Sequence, residues 1–597
     1  MSSKRSISEY LVECLLHNGI DTYFLVTGGA IVPTVDVIGR TKGVKYFCFQ
    51  HEQSAAMAAE AYYRSSGRIG VVLSTSGPGA QNLLNGICGC WYESIPCLFI
   101  TGQVSTYESI DNIVANPRQL GFQEMPVVES FAPFTKYIAK VDEAIHFGDV
   151  LDRAIRLAKE GRPGPCLLDL PTNIQNAIIE DDLVRFIEPA KVVDSDLALQ
   201  VKTIQQKLNE SERPLILIGH GVTISNSQHK ALDLLNKLNV PFVVSWGGFD
   251  AIPHDHPNFI GDIGVYGSRG GNFAIQNCDF LLSIGSRLDT RQTGGDLKTF
   301  SRESFKVMVD VDVNEISKGR GLKIDLPIVC DAGVFLDECL SQLKKSHTSN
   351  NWQKVCTDWS NLSLDNRPLK DDVLTSYEFL EHLNSQLPNE SIVIPDEGGH
   401  LVWSMQSLEA KKGQKIFSNF GNSSMGYGLP AAIGAAIGTD KLVVCIDGDG
   451  GFQMNIQELQ TIKQYNLPVK IFIINNNCYG IIKQFQDAYF GSRYTATDSL
   501  DYTAPDFVAV ATAYGIKAVE ANKSNYKDVI NLALNEKGSI LVNVIIDRDQ
   551  KLTPKLEFGN PLEDMSPYLT DKQIKENMIV DMIPRRDNTQ GWVTLNK

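Results

Sequence analysis

The sequence predicts an α/β protein with three doubly wound parallel-sheet domains and a C-terminal tail. At 597 residues, the chain is longer than one hydrophobic core usually supports. Short runs that are apolar on both faces alternate with helical stretches, a pattern typical of buried parallel strands. The runs lie at 71–75, 97–101, 166–171, 215–219, 242–246, 280–285, 305–312, 392–396, 442–447 and 469–475.

Two polar stretches, near 185–200 and 343–372, have the composition of linkers. They divide the chain into predicted domains at 1–185, 190–345 and 370–545, each near the usual domain size. The remainder, 546–597, is rich in Pro, Asp, Glu, Lys and Asn. We expect this tail to lie over another domain or to close a site.

Charge and composition exclude several classes of partner. The formal charge of −15 argues against nucleic acid and anionic membranes as partners. No apolar run approaches the roughly 18 residues of a membrane span. The twelve cysteines are scattered, and the spacing of the closest pair, Cys88 and Cys90, fits neither a redox motif nor a zinc site. We expect reduced thiols and a cytoplasmic location.

Two motifs at strand ends predict a magnesium–diphosphate site. Gly448-Asp449-Gly450 follows an apolar run, and 24 residues later a second run ends in Asn475-Asn476. A helical stretch between them makes a βαβ unit, which places both loops at the carboxyl edge of one sheet. Asp449 and Asn476 offer the oxygen ligands that Mg²⁺ prefers. Gly450 and Gly451 allow the backbone to approach a phosphate.

These paired motifs resemble the diphosphate–magnesium signature of thiamine-diphosphate enzymes. The resemblance implies a third metal ligand, the backbone carbonyl of Cys478. Residues 51–87 (HEQSAAMAAEAYYRSSGRIGVVLSTSGPGAQNLLNGI) resemble the pyrimidine-binding domain of acetohydroxyacid (acetolactate) synthase. By that resemblance, Glu52 hydrogen-bonds the aminopyrimidine ring and promotes removal of the thiazolium C2 proton. Gln123 in FQE would lie beside the reacting carbons, and Gly29 in VTGGA would join the catalytic site.

Further segments extend the resemblance over roughly residues 5–545. FGNSSMGYGLPAAIGAAIG (420–438) is similar to the segment that holds the pyrimidine, with Met425 bending the cofactor. EGGH (397–400) is similar to a loop that contacts the diphosphate, and GVYGSRGGN, GSRLDTRQTG and VDVDVNEI (within 264–316) resemble a flavin-binding domain. The implied cofactor-binding residues, for thiamine diphosphate and FAD together, are Ser94, Arg162, Arg287, Asp289, Arg291, Asp310, Asp312, Gly398, Gly399, His400, Ser423, Met425, Gly448, Gly450 and Gly451.

The sequence departs from the family on the acceptor side and at the cofactor rim. Phe485 stands where the family has Trp, and with Phe122 and Ile481 it is expected to line the acceptor pocket. The loop between Gln103 and Gln123 is about eight residues longer than in the biosynthetic enzymes. Thr27 replaces a Pro and Gly399 replaces a Gln. Such changes resemble acetohydroxyacid-synthase-like enzymes of bacterial polysaccharide and branched-sugar pathways.

The predicted function is a carboligase that decarboxylates pyruvate and transfers the two-carbon unit to a ketone. The acceptor is either a second 2-oxo acid or a keto-sugar nucleotide. The alternatives are a simple 2-oxo acid decarboxylase, which commonly has an adjacent His pair that this chain lacks, and a hydrolase of cyclic diketones. A non-catalytic relative would be expected to lose Glu52, Asp449 or Asn476. The family's site between subunits implies a homodimer or homotetramer.

Overall fold

The computed structural model describes residues 4–115, 117–179, 196–345, 350–362, 370–498 and 500–583. The predicted linkers near 185–200 and 343–372 lie partly outside these residues, as does the end of the tail. Three six-stranded sheets, each with helices on both faces, account for most of the described chain. All paired strands within these sheets run parallel, which confirms the predicted fold class.

The first sheet has the strand order β3-β2-β4-β5-β7-β6. Its strands are β2 (Thr22–Leu25), β3 (Lys45–Cys48), β4 (Val71–Ser74), β5 (Leu98–Gln103), β6 (Tyr137–Lys140) and β7 (Cys166–Pro171). Its helices are α1 (Ile7–His17), α2 (Val32–Arg40), α3 (Glu52–Ser66), α4 (Pro78–Gln81), α5 (Leu84–Glu93), α6 (Val127–Phe131), α7 (Phe147–Lys159) and α8 (Thr172–Gln175). The short strands β1 (Arg5–Ser6) and β8 (Ile178–Ile179) pair antiparallel, so the start and end of this domain meet.

The second sheet has the order β11-β10-β9-β12-β13-β14. Its strands are β9 (Pro214–Ile218), β10 (Phe242–Val244), β11 (Phe259–Asp262), β12 (Phe280–Ile284), β13 (Phe305–Asp310) and β14 (Leu326–Val329). The helices are α9 (Leu197–Glu210), α10 (His220–Ile224), α11 (Gln228–Leu238), α12 (Arg269–Asn277), α13 (Thr290–Thr293), α14 (Val313–Ser317), α15 (Ala332–Gln342) and α16 (Asn350–Ser360). Trp352 on α16 donates to the Pro214 carbonyl at 2.9 Å, which ties α16 to this domain.

The third sheet has the order β16-β15-β17-β18-β20-β19. Its strands are β15 (Ile392–Pro395), β16 (Lys415–Ile416), β17 (Val443–Gly448), β18 (Val469–Asn475), β19 (Lys517–Ala521) and β20 (Ile540–Ile545). The helices are α17 (Ser376–Gln386), α18 (Gly399–Ser407), α19 (Gly428–Gly438), α20 (Asp449–Phe452), α21 (Leu459–Tyr465), α22 (Gly480–Tyr489), α23 (Phe507–Ala513) and α24 (Tyr526–Asn535). A capping box of Thr375 and Glu378 fixes the start of α17.

The tail leaves the third domain and crosses the second. It contains β21 (Lys555–Leu556), β22 (Met565–Ser566) and α25 (Asp571–Asn577). Arg269 donates to the Met565 and Pro567 carbonyls at 3.2 and 2.6 Å, and Arg302 pairs with Glu563 at 3.0 Å. The described part of the tail therefore lies over another domain, one of the two placements expected from the sequence. Among the described residues, no helix is both long and apolar enough to cross a membrane.

Helices α3 and α19 join the first and third domains through small side chains. Both belong to one hydrophobic cluster that also contains residues of β4 and β18. The approach is close enough that a Cβ on Gly434 would lie 1.9 Å from the Ala58 carbonyl oxygen. Only glycine fits at this crossing without a shift of backbone.

We expect Gly434→Ala to destabilise the protein, because overpacking a rigid contact costs ~1–3 kcal/mol. The apparent midpoint of thermal unfolding should fall by several degrees. Gly39→Ala is the matched control, since Gly39 lies exposed in α2 with no atom within 4 Å of an added Cβ. A Gly434 variant as stable as the Gly39 variant would contradict this close packing.

Candidate active site

Glu52 lies in the first turn of α3, and only 9% of the residue is exposed. Asn82 donates from Nδ2 to Glu52 Oε2 at 2.9 Å. The other oxygen, Oε1, lies over the turn of α4, where a Cβ on Gly79 would be 3.2 Å away. A buried carboxylate with one fixed oxygen can share a proton through the other.

Gly29 and Gln123, the other two residues predicted to be catalytic, lie on turns that follow strands of the first sheet. Gly29 is exposed and begins a short 3₁₀ helix after β2. Gln123 has a φ of 60°, and its carbonyl oxygen would be 2.8 Å from a Cβ on Gly77. Gly77 precedes α4, and Asn82 follows it. The structure therefore brings Gln123 to the turn that positions Glu52.

The predicted metal ligands lie at the ends of two neighbouring strands, β17 and β18. Asp449 is 3% exposed, and its Oδ2 is buried with no hydrogen-bond partner among the described residues. Asn476 and Cys478 follow β18 and are 6% and 3% exposed. Burial raises the pKa of Asp449 to about 6. A buried carboxylate oxygen without a partner calls for a ligand, and a cation would favour its charged form.

The loop after β15 contributes Gly398, Gly399 and His400 to the same edge of the sheet. His400 is 6% exposed, and its Nε2 also lacks a hydrogen-bond partner within the described chain. Across the crevice, a Cβ on Gly448, Gly450 or Gly451 would lie 2.2–2.5 Å from a neighbouring side-chain atom. Glycine is therefore required where His400, Tyr479 and Asp396 pack against this turn.

Two carboxylates that the sequence analysis did not identify, those of Asp396 and Asp447, lie beneath this loop. Asp396, His400 and Asp447 each offer a ligand atom within 4.8 Å of the others. Asp396 accepts from the backbone N–H of Gly426 and Gly428 at 3.0 and 2.8 Å. Burial, and then the neighbouring Asp396, raise the pKa of Asp447. Asp396 thus ties β15 to the segment that precedes α19.

That segment contains the predicted pyrimidine-binding residues Ser423 and Met425. Ser423 has a φ of 55°, and its N–H donates to the Asn419 carbonyl at 2.8 Å. Met425 is half-buried and directly precedes Gly426, which Asp396 holds. The predicted wedge therefore projects from a turn that is fixed on both sides.

A cavity of about 350 Å³ lies where all three domains meet. It opens at the carboxyl ends of β9 and β12. Its walls include His220, Trp246 and Phe420, which the sequence analysis had not singled out. The predicted cofactor residues that line it are Ser94, Arg162, Arg287, Asp289, Arg291, Asp310 and Ser423.

Two guanidinium groups face this cavity from the loop after β12. Arg287 Nη2 lies 3.1 Å from Asp289 Oδ2. Arg291 Nη2 donates to Ser423 Oγ at 3.1 Å and lies 3.6 Å from Glu397 Oε1. Paired guanidinium groups suit the phosphates of a dinucleotide.

Arg162 connects the cavity to the strand-end acids. It donates to Ser94 Oγ at 2.8 Å and pairs with Asp312 at 3.0 Å and Glu315 at 2.8 Å. Asp310 lines the cavity, whereas Asp312 reaches it through Arg162. The structure therefore separates two acids that the sequence had treated alike.

The predicted acceptor residues divide between two domains. Ile481 and Phe485 are one helical turn apart on α22, directly after the metal-ligand loop. The Phe485 ring contacts Tyr489 at 4.9 Å and Phe558 edge-to-face at 5.6 Å between ring centroids. Phe122 belongs to the first domain and is 86% exposed. Phe558, from the tail, is an addition to this aromatic wall.

The site residues thus form three groups, one at the carboxyl edge of each sheet. Among the residues that sequence reasoning missed, Asp396 had a visible signal, because it ends an apolar run. Asn82 and Phe558 had none, since their roles depend on contacts distant in sequence.

Family models and relatives agree on one assignment. Three models match in order: the N-terminal TPP-binding domain of thiamine pyrophosphate enzymes at residues 5–129, the central domain at 201–339 and the C-terminal TPP-binding domain at 396–544. The acetolactate synthase large subunit of Cyanidium caldarium is 33% identical over 93% of this chain and 95% of its own. Acetolactate synthase isozyme 2 large subunit of Escherichia coli is 32% identical over 94% of this chain and 100% of its own.

A probable acetolactate synthase large subunit from Methanocaldococcus jannaschii is 32% identical over 97% of this chain and 98% of its own. The match therefore extends through all three sheets and the site residues at their carboxyl edges, and is not confined to one domain. With the three-domain fold, it shows that this chain belongs to the thiamine pyrophosphate enzymes, in the family of acetolactate synthase large subunits.

Proposed function

We propose that this protein is a carboligase that decarboxylates pyruvate and transfers the two-carbon unit to a ketone acceptor. One observation carries the proposal. A buried glutamate, oriented by Asn82, lies at one sheet edge, and buried polar atoms without hydrogen-bond partners lie at another, where a diphosphate and a metal would bind. Both halves of the chemistry that a thiamine-diphosphate enzyme needs are present in one chain. Acetolactate synthases among its relatives have this activity by name.

The residues present fit thiamine diphosphate and Mg²⁺. Asp449 Oδ2 and His400 Nε2 are buried polar atoms whose partners the described chain does not supply. Asp449, Asn476 and the Cys478 carbonyl would hold the metal, and the glycine turn at Gly448 and Gly450 would receive the phosphates. When bound, thiamine diphosphate supplies the carbon nucleophile that 2-oxo acid decarboxylation requires.

The protein's own contribution is to hold a proton and to orient groups. Asn82 fixes Oε2 of Glu52, which leaves Oε1 to share a proton with the cofactor ring. Gln123 would act near this carboxylate, because its carbonyl oxygen packs on the Gly77 turn that leads to Asn82. Gly29 would join the site from the turn after β2. Met425 would press on the cofactor from the turn that Asp396 fixes.

The cavity between the domains fits FAD. Arg287 and Arg291 would bind its phosphates, and Asp310 would bind ribose hydroxyls. His220 and Trp246 supply aromatic rings to its walls. The cavity adjoins Ser423 and so borders the pyrimidine segment. In this proposal the flavin is structural and stays redox-silent during turnover.

For the acceptor, two classes follow from the residues on α22. Phe485 presents a smaller ring than the family's Trp, which leaves space beside the reacting carbon for a bulky ketone such as a keto-sugar nucleotide. A second 2-oxo acid would fit the same space. One methylene-sized change in an apolar pocket alters discrimination by only about 1–3 kcal/mol.

The assembly is part of the proposal. Phe122, Met454 and Ile482 are exposed apolar side chains beside the candidate sites, at 86%, 49% and 49%. Exposed apolar groups around a site support burial by a second copy, as a homodimer or homotetramer. None of the twelve cysteines, all of which lie among the described residues, forms a disulfide, which supports a cytoplasmic location.

The function is tested with purified protein, thiamine diphosphate, Mg²⁺ and ¹³C-labelled pyruvate, alone and with keto-sugar nucleotides. We expect a carbon–carbon bond between the labelled unit and a ketone. Glu52→Gln should lower turnover by about 10² or more, the range for a lost acid–base group. It should also slow exchange of the cofactor C2 proton, measured by NMR. Release of free aldehyde as the sole product would identify a decarboxylase instead.

Asp449→Ala should abolish Mg²⁺-dependent binding of thiamine diphosphate, because the ion bridges the diphosphate to the protein. Isothermal calorimetry measures the affinity. Asp440→Ala, an exposed aspartate in the same domain, serves as the control and should bind normally. Equal affinity in the two variants would remove Asp449 from the metal site.

The protein should bind FAD, visible as flavin absorbance that persists through gel filtration and does not bleach with pyruvate. Arg291→Gln should weaken FAD binding about 10- to 150-fold, since one charge-assisted contact to phosphate contributes about 1.5–3 kcal/mol. Arg320→Gln, exposed in the same domain, should not. A colourless protein that is fully active without flavin would refute the assignment of the cavity.

A further inference from the structure

The long loop 105–121, of which the structure describes every residue except 116, is fastened to the first domain at several points. It contains two 3₁₀ turns, Thr106–Glu108 and Ile110–Asn112. At its start, Asn173 accepts from the Thr106 N–H at 2.9 Å. Lys140 on β6 pairs with Asp111 at 2.5 Å and lies 3.1 Å from Ser109 Oγ. The loop is therefore a built part of the domain surface.

The carboxylate of Glu124 accepts hydrogen bonds from both ends of this loop. Its Oε1 accepts from the Ser109 hydroxyl at 2.8 Å and the Ile110 N–H at 2.7 Å. Its Oε2 accepts from the N–H groups of Leu120 at 3.3 Å and Gly121 at 3.0 Å. Partial burial alone would raise the pKa of Glu124, but the hydrogen bonds from Gly121, Ile110, Ser109 and Leu120 together lower it. The carboxylate is therefore anionic at neutral pH, and it accepts four hydrogen bonds.

Gln123 directly precedes this carboxylate and has a left-handed backbone. A non-glycine residue at a φ of 60° persists only where its surroundings hold it. On one side, the Gln123 carbonyl rests on Gly77, at the turn that leads to Asn82 and Glu52. On the other, the Glu124 clamp begins at the next residue.

The sheet holds the same segment from beneath. Gln103 Nε2 donates to the Met125 carbonyl at 2.9 Å and to Asp169 Oδ2 at 3.1 Å. Asp169 is 1% exposed and also accepts from the Thr101 hydroxyl at 2.6 Å. Residues 123–125 are thus fixed by the loop through Glu124 and by the sheet through Gln103.

We propose that Glu124 is a positioning residue that uses loop 105–121 to hold Gln123 at the reacting carbons. The role rests on the proposed function, since it assigns Gln123 to the carboligation step. The additional residues of the loop then stabilise the part of the site that the first domain supplies. They affect the acceptor only by fixing the backbone of Gln123. Displacing a group by about 1 Å from its working position can cost 10² in rate.

The test compares Glu124→Ala and Glu124→Gln with the control Glu108→Gln. Glu108 lies exposed in the same loop, outside the clamp. Hydrogen exchange of the cofactor-free protein should show faster exchange at Ile110, Leu120 and Gly121 in Glu124→Ala. Turnover in carboligation should fall about 10- to 100-fold. The affinities for thiamine diphosphate and FAD and the unfolding midpoint should match those of the control.

Glu124→Gln should be intermediate, because the amide keeps one acceptor oxygen and turns an N–H toward donors. Ser109→Ala removes one of the four hydrogen bonds to Glu124, together with the contacts of the hydroxyl to Lys140 and Asp111, and should loosen the loop less than Glu124→Ala. Unchanged exchange would overturn the clamp, and faster exchange with normal carboligation would overturn the positioning role. Lost cofactor binding or a lower unfolding midpoint would overturn it in favour of a general structural role. If the wild-type protein forms no carbon–carbon bond, the proposed function fails, and the exchange data still decide the clamp.

Discussion

In each sheet, the strand that comes first in the chain has the next strand on one side and a later strand on the other. The strand order therefore reverses beside β2, β9 and β15. Helices leaving opposite sides of that point separate and open a crevice at the carboxyl ends. Glu52 and its glycine turns border the crevice beside β2, the arginine-lined cavity lies beside β9, and Asp449 and His400 lie beside β15. Three sites of different chemistry therefore depend on one topological constraint used three times.

The acidic chain receives an anionic cofactor without a cluster of lysines. At the third crevice the proposed attraction comes from the Mg²⁺ that Asp449 would hold beside the glycine turn at Gly448 and Gly450. At the second crevice, Arg287 and Arg291 supply charge directly, each already oriented by a carboxylate or hydroxyl neighbour. Local field, and not the net charge of −15, determines what these sites bind.

The sequence was sufficient for the fold class, because buried central strands such as β17 and β18 are apolar on both faces. It also placed the residues of continuous motifs at the carboxyl ends of strands, where the structure has them. It was insufficient for edge strands, since β6, β14 and β19 are partly exposed, and β6 and β19 carry polar residues. It was also insufficient for the contacts of Asn82, Asp396 and Glu124. Asn82 and Asp396 bind residues that only the folded chain brings near, and Glu124 joins the two ends of a loop whose path the sequence does not show.

A buried ionic network in the first domain links that domain to the third domain and to the wall of the cavity. Arg64, on the helix that carries Glu52, pairs with Glu60 at 2.6 Å and with Glu93 at 2.9 Å. Glu93 also accepts from the Gly421 N–H of the third domain at 2.5 Å and lines the cavity between the domains. Burial alone would raise the pKa of Glu93, but Arg64 lowers it, so the pair stays charged. Such pairs add little net stability, whereas breaking one leaves a buried charge without its partner. Displacing α3 would separate Arg64 from Glu93, which lies in the cavity wall, so this pair keeps α3 and the cavity between the domains in one fixed arrangement.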